Sequence, residues 1–214
     1  MSKVTAIRAG RGQGKRVNLF LDGRFAFSLQ AELAAKEELK VGQELSSHQV
    51  EALTGSDNYQ RCYDAAARYL SYRPRSEAEL KERLCRRGFD DNSIEAVVTK
   101  LKEQGLVDDL AFAQFWRENR QSFSPRSQWL TRRELRQKGV AEEVMNQVVA
   151  TIDDSDSAYR AALSRARSLS GYDYPQFRQR LGSFLRRRGF NYAVINRTVE
   201  QMWPEEGIKQ TNRL

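Results

Sequence analysis

Between residues 57 and 203 apolar side chains recur three and four positions apart, the period of helices buried along one face. Tyr59, Tyr63, Ala66, Tyr69 and Leu70 predict a helix near 57–72, and Ile94, Val97, Val98 and Leu101 another near 91–104. Asp108-Asp109 opens a helix carrying Phe112, Phe115 and Trp116, and the last stripe, Val194, Ile195, Val199 and Met202, is expected to stop near Trp203-Pro204. Residues 1–54 follow a different rhythm. Val17–Leu21 and Arg24–Leu29 are strand-like runs on either side of Asp22-Gly23, a pair that suits a type I′ hairpin turn. Two strands alone are marginal in water, so Val4–Ile7 is read as a third, followed by short helices near 30–39 and 46–54 with Leu39–Gly42 turning between them.

The helical region is periodic on a longer scale. Gly88, Gly139 and Gly189 lie 51 and 50 residues apart, and Pro74, Pro125 and Pro175 each stand 14 residues before one of them. Aligned on the glycines, Leu84, Leu135 and Leu185 coincide, as do Phe89, Val140 and Phe190, then Ile94, Met145 and Ile195. Apolar positions held at fixed offsets in a period near fifty predict one supersecondary unit copied three times. In each copy a second helix runs from the proline to the glycine. Ser76 and Glu79 form its capping box in the first copy, and Gly88 supplies the left-handed residue at its end. The predicted fold is mainly α: three tandem three-helix repeats in a curved, solenoid-like array, with a small N-terminal β-hairpin/α extension. The expected boundaries are 1–54 for the extension, 57–105, 106–154 and 155–203 for the repeats, and 204–214 for a mobile tail.

Composition narrows the function. The 214 residues are 40% apolar and 30% charged, and no apolar run approaches the length of about 20 residues that spans a bilayer. The start MSKVTAIRAG lacks the apolar core of a signal peptide, so a soluble, cytoplasmic protein without membrane contact is expected. Cys62 and Cys85 are too few for a disulfide framework and read as two buried thiols. Gly10 and Gly14 enclose three residues where a Walker loop needs four, and Arg16 follows Lys15 where Ser or Thr belongs; the segment reads as a basic loop. Asp108-Asp109 reads as a helix cap rather than a metal site, because no other ligands group nearby. His48, the sole histidine, has no nucleophile at motif spacing. No catalytic residue, metal or cofactor is expected, and the protein is not read as an enzyme.

The net charge is +8, and its placement is uneven. The segments 75–88, 126–139 and 176–189 carry +2, +4 and +5, so the remainder of the chain is net acidic. Arg83, Arg86 and Arg87, then Arg126, Arg132, Arg133, Arg136 and Lys138, then Arg178, Arg180, Arg186, Arg187 and Arg188 are the candidate binding residues. Complementing a helix dipole accounts for one or two cations per helix end, at a few tenths of a kcal/mol each, and fades beyond the last turn. Arg126, Arg132, Arg178 and Arg180 lie outside that reach, which favours a face that binds an anionic partner over a merely solvated one.

Arg68–Leu80, which reads RYLSYRPRSEAEL, then Leu84 with Gly88, then Gly105-Leu106-Val107-Asp108-Asp109 with Phe112-Ala113, then Glu134-Leu135 with Lys138-Gly139-Val140, together resemble the RecX regulatory proteins of bacterial recombination. The likeness covers about 57–203, and residues 1–54 resemble the β-hairpin extension of longer members. The third repeat departs most, with Tyr174-Pro175-Gln176-Phe177 where the first has Arg73-Pro74-Arg75-Ser76. The resemblance implies a regulator, without catalytic residues, that binds the RecA recombinase filament on DNA, and the chain is expected to be a monomer. It also implies that the regulator limits filament growth, ATP hydrolysis and strand exchange in repair and the SOS response. The competing reading is a direct DNA-binding protein that presents basic helices to phosphates, and a weak direct DNA contact is compatible with either.

Overall fold

The computed structural model describes residues 1–10 and 15–211, with side chains as far as Trp203. The chain forms two compact units: Met1–Tyr72 with Leu80–Gln104, and Arg73–Glu79 with Gly105 onward. Of the basic loop read at 10–15, residues 11–14 lie outside the described residues.

The first unit holds an antiparallel sheet of β1 (Ser2–Ala9), β2 (Arg16–Leu21), β3 (Arg24–Gln30) and β4 (Glu44–Leu45), in the order β3-β2-β1-β4. Asp22 and Gly23 adopt φ of 49° and 81°, the two left-handed residues of a type I′ turn, so the hairpin stands where the sequence places it. Strand β4 escapes a pattern search because it is two residues long; it pairs through Ser2 with Leu45 and Lys3 with Glu44. Val4, Leu19, Leu29, Leu45 and Leu53 make the core between the sheet and the helices.

Helix α1 (Ala31–Lys36) is followed by α2 (Ser47–Tyr72), which runs unbroken through the junction expected at 54–57. Thr54-Gly55-Ser56-Asp57 reads as a break because each is a modest helix former. Tertiary contacts reverse that preference: Asp57 is buried, accepts hydrogen bonds from Gln30 N (2.7 Å) and Arg16 Nη2 (2.9 Å), and ties α2 to the sheet. The unit is completed by the part of α3 (Glu77–Arg86) from Leu80 onward and by α4 (Asp91–Glu103), whose N-cap Asp90 accepts from Ser93 N. Leu80, Leu84, Ile94, Val97, Val98 and Leu101 are buried. Cys62 is also buried, and burial, with the nearby Asp90 charge, pushes its thiol up to about 11. Cys85, read as a second buried thiol, is exposed: it follows Leu84, the residue α3 turns inward, and so falls on the outer side of the helix.

The second unit contains α5 (Asp109–Phe123), α6 (Gln128–Gln137), α7 (Glu142–Val149), α8 (Asp154–Ala166), a 3₁₀ turn (Arg167–Leu169), α9 (Tyr174–Arg187) and α10 (Tyr192–Thr211). One cluster gathers Phe112, Leu135, Val140, Met145, Val149 and Ile152; its counterpart gathers Ala162, Leu185, Phe190, Ile195, Val199 and Met202. These are the residues that share positions in the glycine frame. Helix α6 is capped by Ser127, whereas α9 begins earlier, with Asp173 as cap and Pro175 inside its first turn, where a missing N–H costs little. Helix α10 does not stop at Trp203-Pro204 but runs to Thr211, so the tail expected from 204 is helical that far. Proline forfeits one amide donor, which penalises a helix interior without forbidding it. Residues 212–214 lie outside the described residues.

Candidate partner-binding surface

The cations at the ends of the basic helices divide into two groups, and the repeat glycines show why. Gly88, Gly139 and Gly189 all have positive φ (86°, 73° and 87°). A Cβ on Gly88 would meet nothing, but one on Gly139 would overlap Ala78, and one on Gly189 would lie 2.5 Å from Ser127 Oγ and 2.6 Å from Leu130 Cβ. In the second unit, each glycine is therefore where one repeat's basic helix ends against the start of the preceding one. Ser76 Oγ donates to Lys138 O (2.6 Å), and Ser127 N donates to Arg188 O (3.1 Å), at matching places in the two junctions.

Lys138 and Arg188, each immediately before a glycine, serve these junctions with their side chains. Lys138 Nζ stands 3.7 Å from the Glu79 carboxylate and 5.4 Å from the Trp116 ring centroid. Arg188 Nη1 donates to Ser124 Oγ (2.8 Å) and Pro125 O (3.0 Å). Arg126 also turns inward, pairing with Glu134 beside Arg120, and burial lowers its pKa, with further lowering by the Arg120 and Arg188 charges. Glu79 is buried against Arg73, Arg75 and Lys138; burial pushes its carboxyl up, but the Arg73 hydrogen bond and the three cations together hold it below the ordinary carboxylate range.

The aspartate pairs complete the same junctions. Asp108 caps its own helix, as the sequence implies, and Asp153 caps the helix at the matching place in the third repeat, while Asp109 Oδ1 accepts from Glu77 N and Asp154 Oδ1 accepts from Gln128 N, each at 2.8 Å. The second aspartate of each pair thus satisfies a free amide at the start of the preceding repeat's basic helix. Repetition of the pair was the available signal, and local capping rules assigned both carboxylates to one helix. Among the described residues no group of three His, Cys, Asp or Glu side chains could hold a metal.

The second group is exposed, apart from the half-buried Arg132. On α3, Arg83 lies over Tyr69, Arg86 pairs with Glu82 at 2.5 Å, and Arg87 is exposed. On α6, Arg132 and Arg136 share Glu142 at 2.8 and 3.0 Å, and Arg133 lies over the exposed Trp129. The hydrogen bond from Arg136, with the two guanidinium charges, holds the Glu142 carboxyl below its ordinary range. On α9, Arg178 reaches Tyr192 Oη at 3.5 Å and Arg180 lies over Tyr172, while Arg186 and Arg187 are exposed. None of these four arginines of α9 pairs with a carboxylate among the described residues.

A small sheet leading into tandem three-helix units, each with a basic second helix, defines a helical-repeat protein with an N-terminal sheet extension. Four family models match in chain order: the regulatory protein RecX N-terminal domain at 2–46, then the RecX first, second and third three-helix domains at 62–101, 108–149 and 153–199. The chain is 26% identical over 212 residues to the regulatory protein RecX of Clostridium tetani, covering 97% of each, and 28% identical over 208 residues to that of Clostridium beijerinckii, covering 94% and 96%. Among solved structures, a crystal structure of regulatory protein RecX aligns with a TM-score of 0.63 at 25% identity, over 92% of this chain and 98% of the other. RecX from Lactobacillus salivarius shares the fold, with a TM-score of 0.58 at 21% identity over 69% and 97%. The chain belongs to the RecX family, and its relatives are named as regulatory proteins. No helix among the described residues is long and apolar enough to cross a membrane.

Proposed function

We propose that this chain binds the RecA filament on DNA as a cytoplasmic monomer and lowers its ATP hydrolysis, growth and strand exchange. The family supports the class of regulator. The observation that carries the reading is the recurrence of exposed cations on the second helix of every repeat, at a period near fifty residues. A filament is itself periodic, so cations set at regular intervals can meet successive acidic or phosphate-bearing sites. Several weak contacts acting together hold neighbouring subunits in one arrangement, and subunits so held cannot cycle through ATP turnover.

The test is a RecA ATPase assay on single-stranded DNA with the chain titrated in at two salt concentrations. Arg132→Glu, Arg133→Glu and Arg136→Glu combined should weaken inhibition while leaving the circular-dichroism melt nearly unchanged, because Arg133 and Arg136 are exposed and the half-buried Arg132 pairs with the surface carboxylate Glu142. Inhibition that survives intact refutes the role given to α6. Equal affinity for bare and RecA-coated DNA in a gel-shift titration refutes the regulator reading itself.

A further inference from the structure

The third repeat differs from the other two at one place that bears on ligand binding. Seven residues before the repeat glycine stand Lys81, Arg132 and Gly182. Lys81 pairs with Glu95 on α4 at 2.7 Å and Arg132 with Glu142 on α7 at 2.8 Å, so in both repeats an ion pair bridges the second and third helices. In the third repeat the cation is replaced by Gly182, and the place of Glu142 is taken by Tyr192. The bridge is gone, and a groove of about 510 Å³ opens between α9 and α10, flanked by Arg178 and Arg186 and bordered by Tyr192 and Asn196.

Packing does not explain the glycine. Its φ is not positive, and an added Cβ would meet only Ile195 Cγ2 at 3.5 Å, an ordinary contact. Glycine inside a helix is penalised relative to alanine, and a recurring reason to keep one is the close approach of a ligand to the backbone. Arg178, Gly182 and Arg186 follow one stripe of α9 at a spacing of four, so the bare helix surface lies between two guanidinium groups. A second groove, of about 690 Å³, borders α9 on its other side and carries Arg165, Arg180 and Arg187.

The charge pattern indicates what fits. From residue 174 to 199 there are six arginines and no acidic residue. Protein interfaces match a mosaic of both signs and deplete charge at their centres, whereas nucleic-acid interfaces are strongly and uniformly positive. Tyr192 is 67% exposed beside Arg178, the pairing of an aromatic face with a cation that single strands use for stacking and phosphate contact.

We propose that the groove between α9 and α10, bounded by Arg178, Gly182, Arg186 and Tyr192, is a site for the backbone of a single-stranded nucleic acid. Arg178 and Arg186 are eight residues apart, about 12 Å along a helix, and contact separate phosphates while Tyr192 stacks on a base. This site goes beyond the RecA reading and is tested without RecA, so failure of either leaves the other standing.

The experiment is fluorescence anisotropy of the full chain with a labelled oligothymidylate across a salt series. Arg178→Gln with Arg186→Gln should weaken binding about tenfold and reduce the slope of log affinity on log salt by about 1.4, at about 0.7 per phosphate contact. Arg132→Gln with Arg136→Gln, which removes the same charge from α6, should change affinity less than twofold. The decisive variant combines Gly182→Arg with Tyr192→Glu. It rebuilds the bridge of the second repeat, leaves net charge unchanged and closes the groove, so affinity should fall at least tenfold with the melt retained. Unchanged affinity in that variant, or equal losses from the α6 and α9 pairs, would show diffuse attraction and overturn the site. Displacement of the strand by polyglutamate at equal charge concentration would overturn it in favour of an acidic protein partner.

Discussion

Replacing Gly139 with alanine perturbs a junction between repeats at a single atom. Two costs combine there. Any L-residue held near φ 73° gives up about 1–2 kcal/mol, because its Cβ crowds the following carbonyl. The new Cβ also overlaps Ala78 Cβ on the first turn of α3, and relieving such overpacking costs about 1–3 kcal/mol. Gly139→Ala should therefore lose roughly 2–5 kcal/mol. Gly88→Ala has the same backbone strain at φ 86° but no atom in the way, and should lose only about 1–2 kcal/mol. The comparison cancels the conformational term and isolates the contact.

Urea melts followed by circular dichroism measure both losses, and the heat-induced midpoint should fall by roughly 2–4 °C for each kcal/mol in a chain of this size. Adding Ala78→Gly to Gly139→Ala removes the other half of the overlap. The double variant should then be more stable than the sum of the single effects requires, with a coupling of about 1–3 kcal/mol. Equal losses at Gly88 and Gly139, together with zero coupling to Ala78, would refute the view that the glycine marks the seam between repeats.

Two further predictions concern the carboxylates. Glu79 has a lowered folded-state pKa, so its ion pairs contribute stability that is fully present above the unfolded value and is lost as pH falls through the folded one. Melts taken from neutral pH downward should show wild-type stability dropping below about pH 4.5, with that part of the slope absent in Glu79→Gln. Glu142→Gln should leave the melt nearly unchanged, since the carboxylate is at the surface, and should leave affinity for oligothymidylate within twofold, because the strand lies along α9 and not α6; a tenfold rise would show that the freed Arg132 and Arg136 face the strand as well.

Much of the fold was legible because its information is local and repeated. The hairpin turn needs two left-handed residues and the chain offers Asp22-Gly23; the helix ends need one each and the chain offers Gly88, Gly139 and Gly189. What could not be read is where distant contacts override local preference. Helix α2 passes through Gly55 because Asp57 is anchored by Arg16 and Gln30, residues more than twenty-five positions away. The candidate surface was legible as a list of cations but not as an orientation, since counting charge does not show which guanidinium turns inward. Part of that distinction was nevertheless present in the repeat frame. The place before the glycine is filled by Arg87, Lys138 and Arg188, all cations and all alike to a sequence scan. Lys138 and Arg188 reach into the seam with the preceding repeat, while Arg87, in the first repeat, is exposed beside a glycine that meets nothing. The role of that position is set by the neighbour it has, not by its residue type, and Arg126, thirteen places before its glycine, turns inward for the same kind of reason, so a cation is weighed as a contact for a partner only once its neighbours are known.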